Sequence, residues 1–226
     1  MTLARGINVL RTVGNAPPSA PLSLTRARLR REALALTERE ALVAAAYSYR
    51  IVPLEHPAGQ TLCLEGEILE APWLLPMSGT LTAVACGVVT IGSALEERVH
   101  ALFAGRHAAL AVALDELGNE VLFAAARRAQ DRMLAEATRQ GLTMAGELRS
   151  GDPGLAIETQ TTVLRLAGGD AIGVSLSSGL VMRPLKSTSM VLGVGLALPE
   201  VQWSRCDYCP SLERCRVAAT RIAANA

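Results

Sequence analysis

From Leu81 to Leu95 the chain carries no charged side chain, and the run LTAVACGVVTIGSAL is rich in β-branched residues. It falls short of the roughly 20 apolar residues that cross a bilayer. The stretch Thr80 to Ile91 therefore reads as a buried, central β-strand. Ser93 with Glu96 has the form of a capping box and opens a helix from Ala94 to about Ala104. A long helical segment then covers about Ala108 to Arg139. Leu117, Val121, Leu122, Ala125, Ala129 and Met133 form its apolar stripe, and Gly118-Asn119 is a candidate interruption.

The flanking segments are shorter. A helix around Ile7 to Val13 precedes residues 15 to 22 (NAPPSAPL), a linker by its proline and small-residue content. Thr37 with Glu40 again has the capping-box form and predicts a helix running to about Tyr49. Pro53, Pro57 and Gly59 mark an irregular connector, and Leu62, Leu64 and Ile68 predict a short strand within Gln60 to Ala71. Beyond Gly141 come short strands, a helix near Glu158 to Leu166, a strand from Ile172 to Leu176 and another from Met190 to Leu198. No internal repeat is apparent. The order, mainly helices with a late group of strands, lacks the regular alternation of a doubly wound sheet, which makes the fold class α+β.

Half of the 226 residues are hydrophobic, enough for a sizeable core. With 22 basic and 21 acidic residues the net charge is +1, and this balance gives no argument for nucleic acid, a membrane surface or an acidic substrate. Lys186 is the one lysine among many arginines, a bias that genome composition explains. The opening MTLARGINVLRTVGN lacks the apolar core and cleavage site of a signal peptide, so a cytoplasmic location is expected.

Three of the five cysteines, Cys206, Cys209 and Cys215, lie within ten residues in the spacing C-x2-C-x5-C. In a reducing compartment such clustering suggests metal or redox chemistry rather than disulfides. Three thiolates hold an iron-sulfur cluster or zinc only with a fourth ligand that this segment does not contain. Iron-sulfur is the favoured reading, with zinc or thiol chemistry as alternatives. Cys63 and Cys86 lie in predicted strands and read as core residues, though a fold could bring either near. Ser211 can cap a C-terminal helix and so lower the pKa of Cys209, which would make Cys206 and Cys209 a redox pair, but no thioredoxin-like strand-helix context precedes them. The C-x3-C-x2-C of radical S-adenosylmethionine enzymes is absent. His56, His100 and His107 have no paired metal-ligand spacing, Gly168-Gly169 and Gly193-x-Gly195 match no phosphate-binding fingerprint, and no Gly-x-Ser-x-Gly elbow exists.

Ile172 to Ser189 (IGVSLSSGLVMRPLKSTS) resembles the activation domain of cobalamin-dependent methionine synthase, in which a strand leads to Met-x-Pro-x-x-Ser-x-Ser. Other stretches are similar to the same family in the same order. They are Val9 to Gly14, Val89 to Gly92 with Leu95-Glu96-Glu97, Leu114 to Gly118, and Arg149 with Pro153-Gly154 and Gln160 in place of an Arg-x-x-Pro-Gly-Tyr loop. Stand-alone members often end in a cysteine cluster like this one. Leu155 stands where that loop has tyrosine, and the loop is shorter.

The resemblance implies helices packed on a mainly antiparallel twisted sheet, with residues 1–22 as N-terminal helix and linker, 23–204 as the domain and 205–226 as a cysteine tail. It implies binding of S-adenosylmethionine, with Arg149, Pro153, Gly154 and Asp131 as cofactor-binding residues. A bidentate arginine suits the ligand's carboxylate, and a helix carboxylate suits its positive groups. The implied activity is reductive conversion of cob(II)alamin to methylcobalamin on a separate corrinoid-binding methyltransferase, in methionine biosynthesis. A flavodoxin or ferredoxin would donate electrons, with the corrinoid supplied by the partner and Cys206, Cys209 and Cys215 as relay. The alternative is a non-catalytic corrinoid-protein-binding module with a structural zinc or thiol redox site.

Overall fold

The computed structural model describes residues 1–15, 22–59 and 61–199. Its elements, in chain order, are β1 (Thr2–Arg5), α1 (Leu10–Asn15), α2 (Leu24–Arg39), β2 (Ala46–Pro53), β3 (Leu62–Leu64), β4 (Glu67–Leu69), β5 (Thr80–Thr90), α3 (Ala94–Ala104), α4 (Ala108–Arg139), β6 (Thr143–Leu148), α5 (Gln160–Ala167), β7 (Ser175–Leu176), β8 (Met182–Arg183) and β9 (Ser187–Leu196). Five strands form one antiparallel sheet in the order β1-β2-β5-β9-β6. The fold class is α+β, as expected, and the run beginning at Thr80 is the middle strand of the sheet.

That strand is apolar because both of its faces are covered. Ala83, Ala85 and Val89 face one core, against α2, α3 and α4, while Val84, Cys86 and Val88 face a second core closed by α5 and the β3-β4 hairpin. Strand β9 alternates likewise, with Met190, Leu192 and Val194 on the first side and Val191 on the second. A two-sided strand cannot carry the apolar-polar alternation of a half-exposed one.

Helix α4 spans the predicted stretch without interruption and is about 48 Å long at 1.5 Å per residue. All six predicted stripe residues are buried in the first core. Gly118 does not break the helix. A Cβ there would come within 2.8 Å of Leu95 Cδ2, so the glycine admits α3 to close packing against α4.

Several expectations are corrected. Thr37 does not open a helix but lies near the end of α2, which begins after Ser23, whose hydroxyl accepts from the Arg26 N–H. The buried Thr37 hydroxyl instead donates back to the Ala33 carbonyl at 2.8 Å. The alanine-rich stretch that follows has helical propensity, yet residues 46–53 become β2, since pairing on both sides with β1 and β5 overrides local preference. Strand β1 gave no periodic signal in four residues. The single strand expected between Gln60 and Ala71 is a hairpin turned at Glu65 and Gly66, both at positive φ, and Ile68 faces solvent. Of Ile172 to Leu176 only Ser175–Leu176 is strand, paired with β8.

Candidate functional site

A cleft of about 360 Å³ opens where α3, α4, the end of β6 and the start of β9 meet. Helix α3 contributes Glu96 and His100, and α4 contributes Asp115, Asn119 and Phe123. Asp115, Asn119, Leu122 and Phe123 fall at i, i+4, i+7 and i+8, one face of the helix. Arg149 enters from just beyond β6, and Leu185 to Thr188 form the remaining wall.

Three of the four charged residues of the lining, Lys186, Asp115 and Arg149, are tied in ion pairs. Lys186 Nζ lies 2.7 Å from Asp115 Oδ1 and donates to Asn119 Oδ1 at 2.7 Å, pinning the entry to β9 onto α4. Arg149 donates through Nε and Nη2 to Glu147 Oε1 at 3.2 and 2.9 Å. Its guanidinium also lies 5.7 Å from the centroid of the Phe123 ring, within cation-π range. Phe123 is otherwise 56% exposed, an unusual state for a large aromatic and a ready stacking surface. Glu96 Oε2 accepts from the Leu185 N–H at 2.7 Å. Ser187 and Thr90 share a hydroxyl contact of 2.8 Å at the base of the wall.

The turn after Arg149 is held by the Asp152 carboxylate and by its own backbone. Asp152 Oδ2 accepts from the Arg149 N–H at 2.9 Å, and Gly151 N–H donates to the Leu155 carbonyl at 2.9 Å. Gly154 has φ +82°, and a Cβ there would lie 2.7 Å from Trp73 Cγ, so the indole ring covers a backbone that only glycine leaves bare. Leu155 is buried in the second core. Gln160 is buried as well and donates to the Leu180 carbonyl, tying α5 to the loop before β8.

Of the candidate cofactor-binding residues, Arg149 lines the cleft, and Pro153 and Gly154 lie in the turn that follows it. Asp131 is exposed on α4, about 12 Å along the helix axis from Phe123, and is not part of the lining. The candidate metal ligands Cys206, Cys209 and Cys215 lie outside the described residues. Among the described residues no group of three or more His, Cys, Asp or Glu is placed to hold a metal. Cys86 is fully enclosed in the second core, and burial pushes its thiol up to about 12. Cys63, on β3, is partly exposed. No helix among the described residues is long and apolar enough to cross a membrane.

Sequence reasoning did not single out Glu96, Asp115, Asn119, Phe123 or Lys186 as site residues. Lys186 had a usable signal: one lysine in an arginine-rich chain, placed inside the segment that carries the family resemblance.

A five-stranded antiparallel sheet, a long helix across one face and a charged cleft beside the first half of that helix define an α+β domain with one candidate site in the cleft. Among solved structures it matches the MetH reactivation domain, crystallised bound to AdoHcy, with a TM-score of 0.65 over 98% of this chain and 89% of that one. Sequence identity is 13%, so the likeness is one of fold. No family model matches the chain, and no curated protein matches it.

Proposed function

We propose that this protein activates a separate corrinoid-dependent methyltransferase, using the cleft to hold S-adenosylmethionine while cob(II)alamin on the partner is reduced and methylated. The observation that carries this reading is convergence. Leu95-Glu96-Glu97, Leu114 to Gly118, Arg149 and Met182 to Ser189 are far apart in sequence, and each sends residues into one cleft.

The donor set suits the ligand. S-adenosylmethionine presents a carboxylate, an ammonium and a sulfonium, and the cleft offers two cations, Arg149 and Lys186, beside two carboxylates, Glu96 and Asp115. The partly exposed face of Phe123 suits the flat purine. The ligand supplies a methyl group; the chain's part is to bind and orient it at the mouth of the cleft. In this reading Cys206, Cys209 and Cys215 of the tail, residues 205–226, would hold an iron-sulfur cluster, which would supply one-electron chemistry between a flavodoxin or ferredoxin and the corrinoid.

One observation favours a second reading, a corrinoid-protein-binding module that does no chemistry. Leu155, at the position where the resembling loop has tyrosine, is turned into the core and offers the cleft no aromatic ring. Anaerobic calorimetry with S-adenosylmethionine, followed by mixing with a cob(II)alamin-loaded cobalamin-binding region of a methionine synthase and a low-potential reductant, tests both. Saturable heat and the absorbance of methylcobalamin support activation. The absence of both heat and methylcobalamin refutes it.

A further inference from the structure

Resting on the cleft as an S-adenosylmethionine site, we propose that Glu96 makes it selective for ligand charge, favouring the sulfonium cation over the neutral thioether that remains after methyl donation. A count of the charges at the cleft leads there. Lys186 and Asp115 cancel at 2.7 Å, and Arg149 and Glu147 cancel at 2.9 Å. Glu96 is different. Its hydrogen-bond partner is a neutral one, the Leu185 backbone N–H at 2.7 Å, and no cation among the described residues lies within ion-pair distance of it.

That hydrogen bond does two things. It fixes a half-buried carboxylate against the cleft wall, so little rotamer freedom remains to be lost when a ligand binds. It also leaves the carboxylate without a cationic partner, its charge offset only in part by the positive end of the α3 dipole, in whose first turn it lies. The lining itself balances, two carboxylates against two cations, but Arg149 is engaged by Glu147 from outside the lining and Lys186 by Asp115, so Glu96 is the lining charge left without a counter-ion.

Loss of the methyl group changes the ligand in the one property that such a site reads. The methyl departs as a carbocation equivalent to its nucleophile, the electron pair of the S–C bond stays on sulfur, and the ligand loses one positive charge. A carboxylate at the wall therefore holds the donor more tightly than the product. For a partly exposed charge pair the expected discrimination is about fivefold in dissociation constant.

The test is calorimetric titration of the full chain with S-adenosylmethionine and with S-adenosylhomocysteine, for the native protein, Glu96→Gln and Glu97→Gln. Glutamine keeps an oxygen to accept from the Leu185 N–H, so the wall is preserved. Glu97 is an exposed neighbour outside the cleft, and Glu97→Gln makes the same change in net charge. The native protein and Glu97→Gln should prefer the sulfonium about fivefold, and Glu96→Gln should bind both ligands alike. Equal native affinities, a preference that survives Glu96→Gln, or an equal loss in Glu97→Gln overturns the inference while leaving the proposed function standing. Binding of neither ligand overturns both.

Discussion

Lys186→Met probes how the cleft is held open and charged. The lysine stem passes over Gly118, where an added Cβ would come 3.4 Å from Cε, so methionine keeps most of that packing and deletes the ammonium alone. Three contacts are lost, of which a long bond to the Asp115 carbonyl at 3.4 Å is the weakest and adds little. The pair with Asp115 has one sheltered end and one open end, with side-chain exposures of 12% and 46%, which places it near the top of the surface range, about 0.5–1 kcal/mol. The bond to Asn119 Oδ1 at 2.7 Å, donated by a charged group, adds about 1 kcal/mol. The sum, about 1.5–2 kcal/mol, corresponds to a fall in Tm of about 3–8 °C for a domain of this size.

Urea unfolding of the native protein, Lys186→Met, Asp115→Asn and the double variant measures both the loss and the coupling. The coupling should be about 0.5–1 kcal/mol. Ligand selectivity should move the other way. Without Lys186 the Asp115 carboxylate joins Glu96 as unbalanced charge, so the preference for S-adenosylmethionine over S-adenosylhomocysteine rises while stability falls. A loss below about 0.5 kcal/mol, strict additivity in the double variant, or a reduced preference for the cation refutes this account of the cleft.

Gly154→Ala forces a side chain to φ +82° and drives its Cβ against the Trp73 ring, and should cost about 2–3 kcal/mol with a shift in Trp73 fluorescence; unfolding that matches the native protein contradicts it. Tyr49 is held neutral by burial and by its hydrogen bond to Glu136, which push its hydroxyl up to about 12 from 10.0. A raised folded value means that this stabilisation is complete below about pH 10 and is lost as pH rises toward 12, so Tyr49→Phe should flatten the alkaline fall in stability, about 1 kcal/mol after allowance for solvent screening. Native protein with an unchanged pH profile in Tyr49→Phe would rule this out. Cys86 should resist a thiol reagent at pH 8 until the protein unfolds, since its enclosed thiol is pushed up to about 12; modification at the rate of an exposed thiol contradicts its placement in the core.

What the sequence revealed and what it hid follow from the range over which each signal is written. Helix α4 was legible to the residue because its 3.6-residue period repeats for 32 residues, and β5 because two covered faces leave an uncharged run. Residues 37–49 were misread because the Thr-x-x-Glu pattern is satisfied inside a helix as well as at its start, and because the partners that make residues 46–53 a strand are β1 and β5, at Thr2–Arg5 and Thr80–Thr90. No local window contains them.

The cleft is non-local in the same sense. Glu96 belongs to a pattern that reads as a helix cap, and in the structure Ser93 makes no side-chain cap bond while the Glu96 carboxylate accepts from Leu185, 89 residues away. Lys186 read as a quirk of composition until the fold set it against Asp115 and Asn119, one turn apart on α4. Among carboxylates on that helix, spacing along the chain cannot rank Asp131 against Asp115; only the crossing of β9 with the first half of α4 does. A charge becomes a candidate for function when its neighbours leave it unbalanced in a concave site, and that is a property of the tertiary arrangement. Glu96 meets that condition here and Asp115 does not, although both lie in segments that carry the family resemblance, which is why the discriminating substitution lies on α3 rather than on α4.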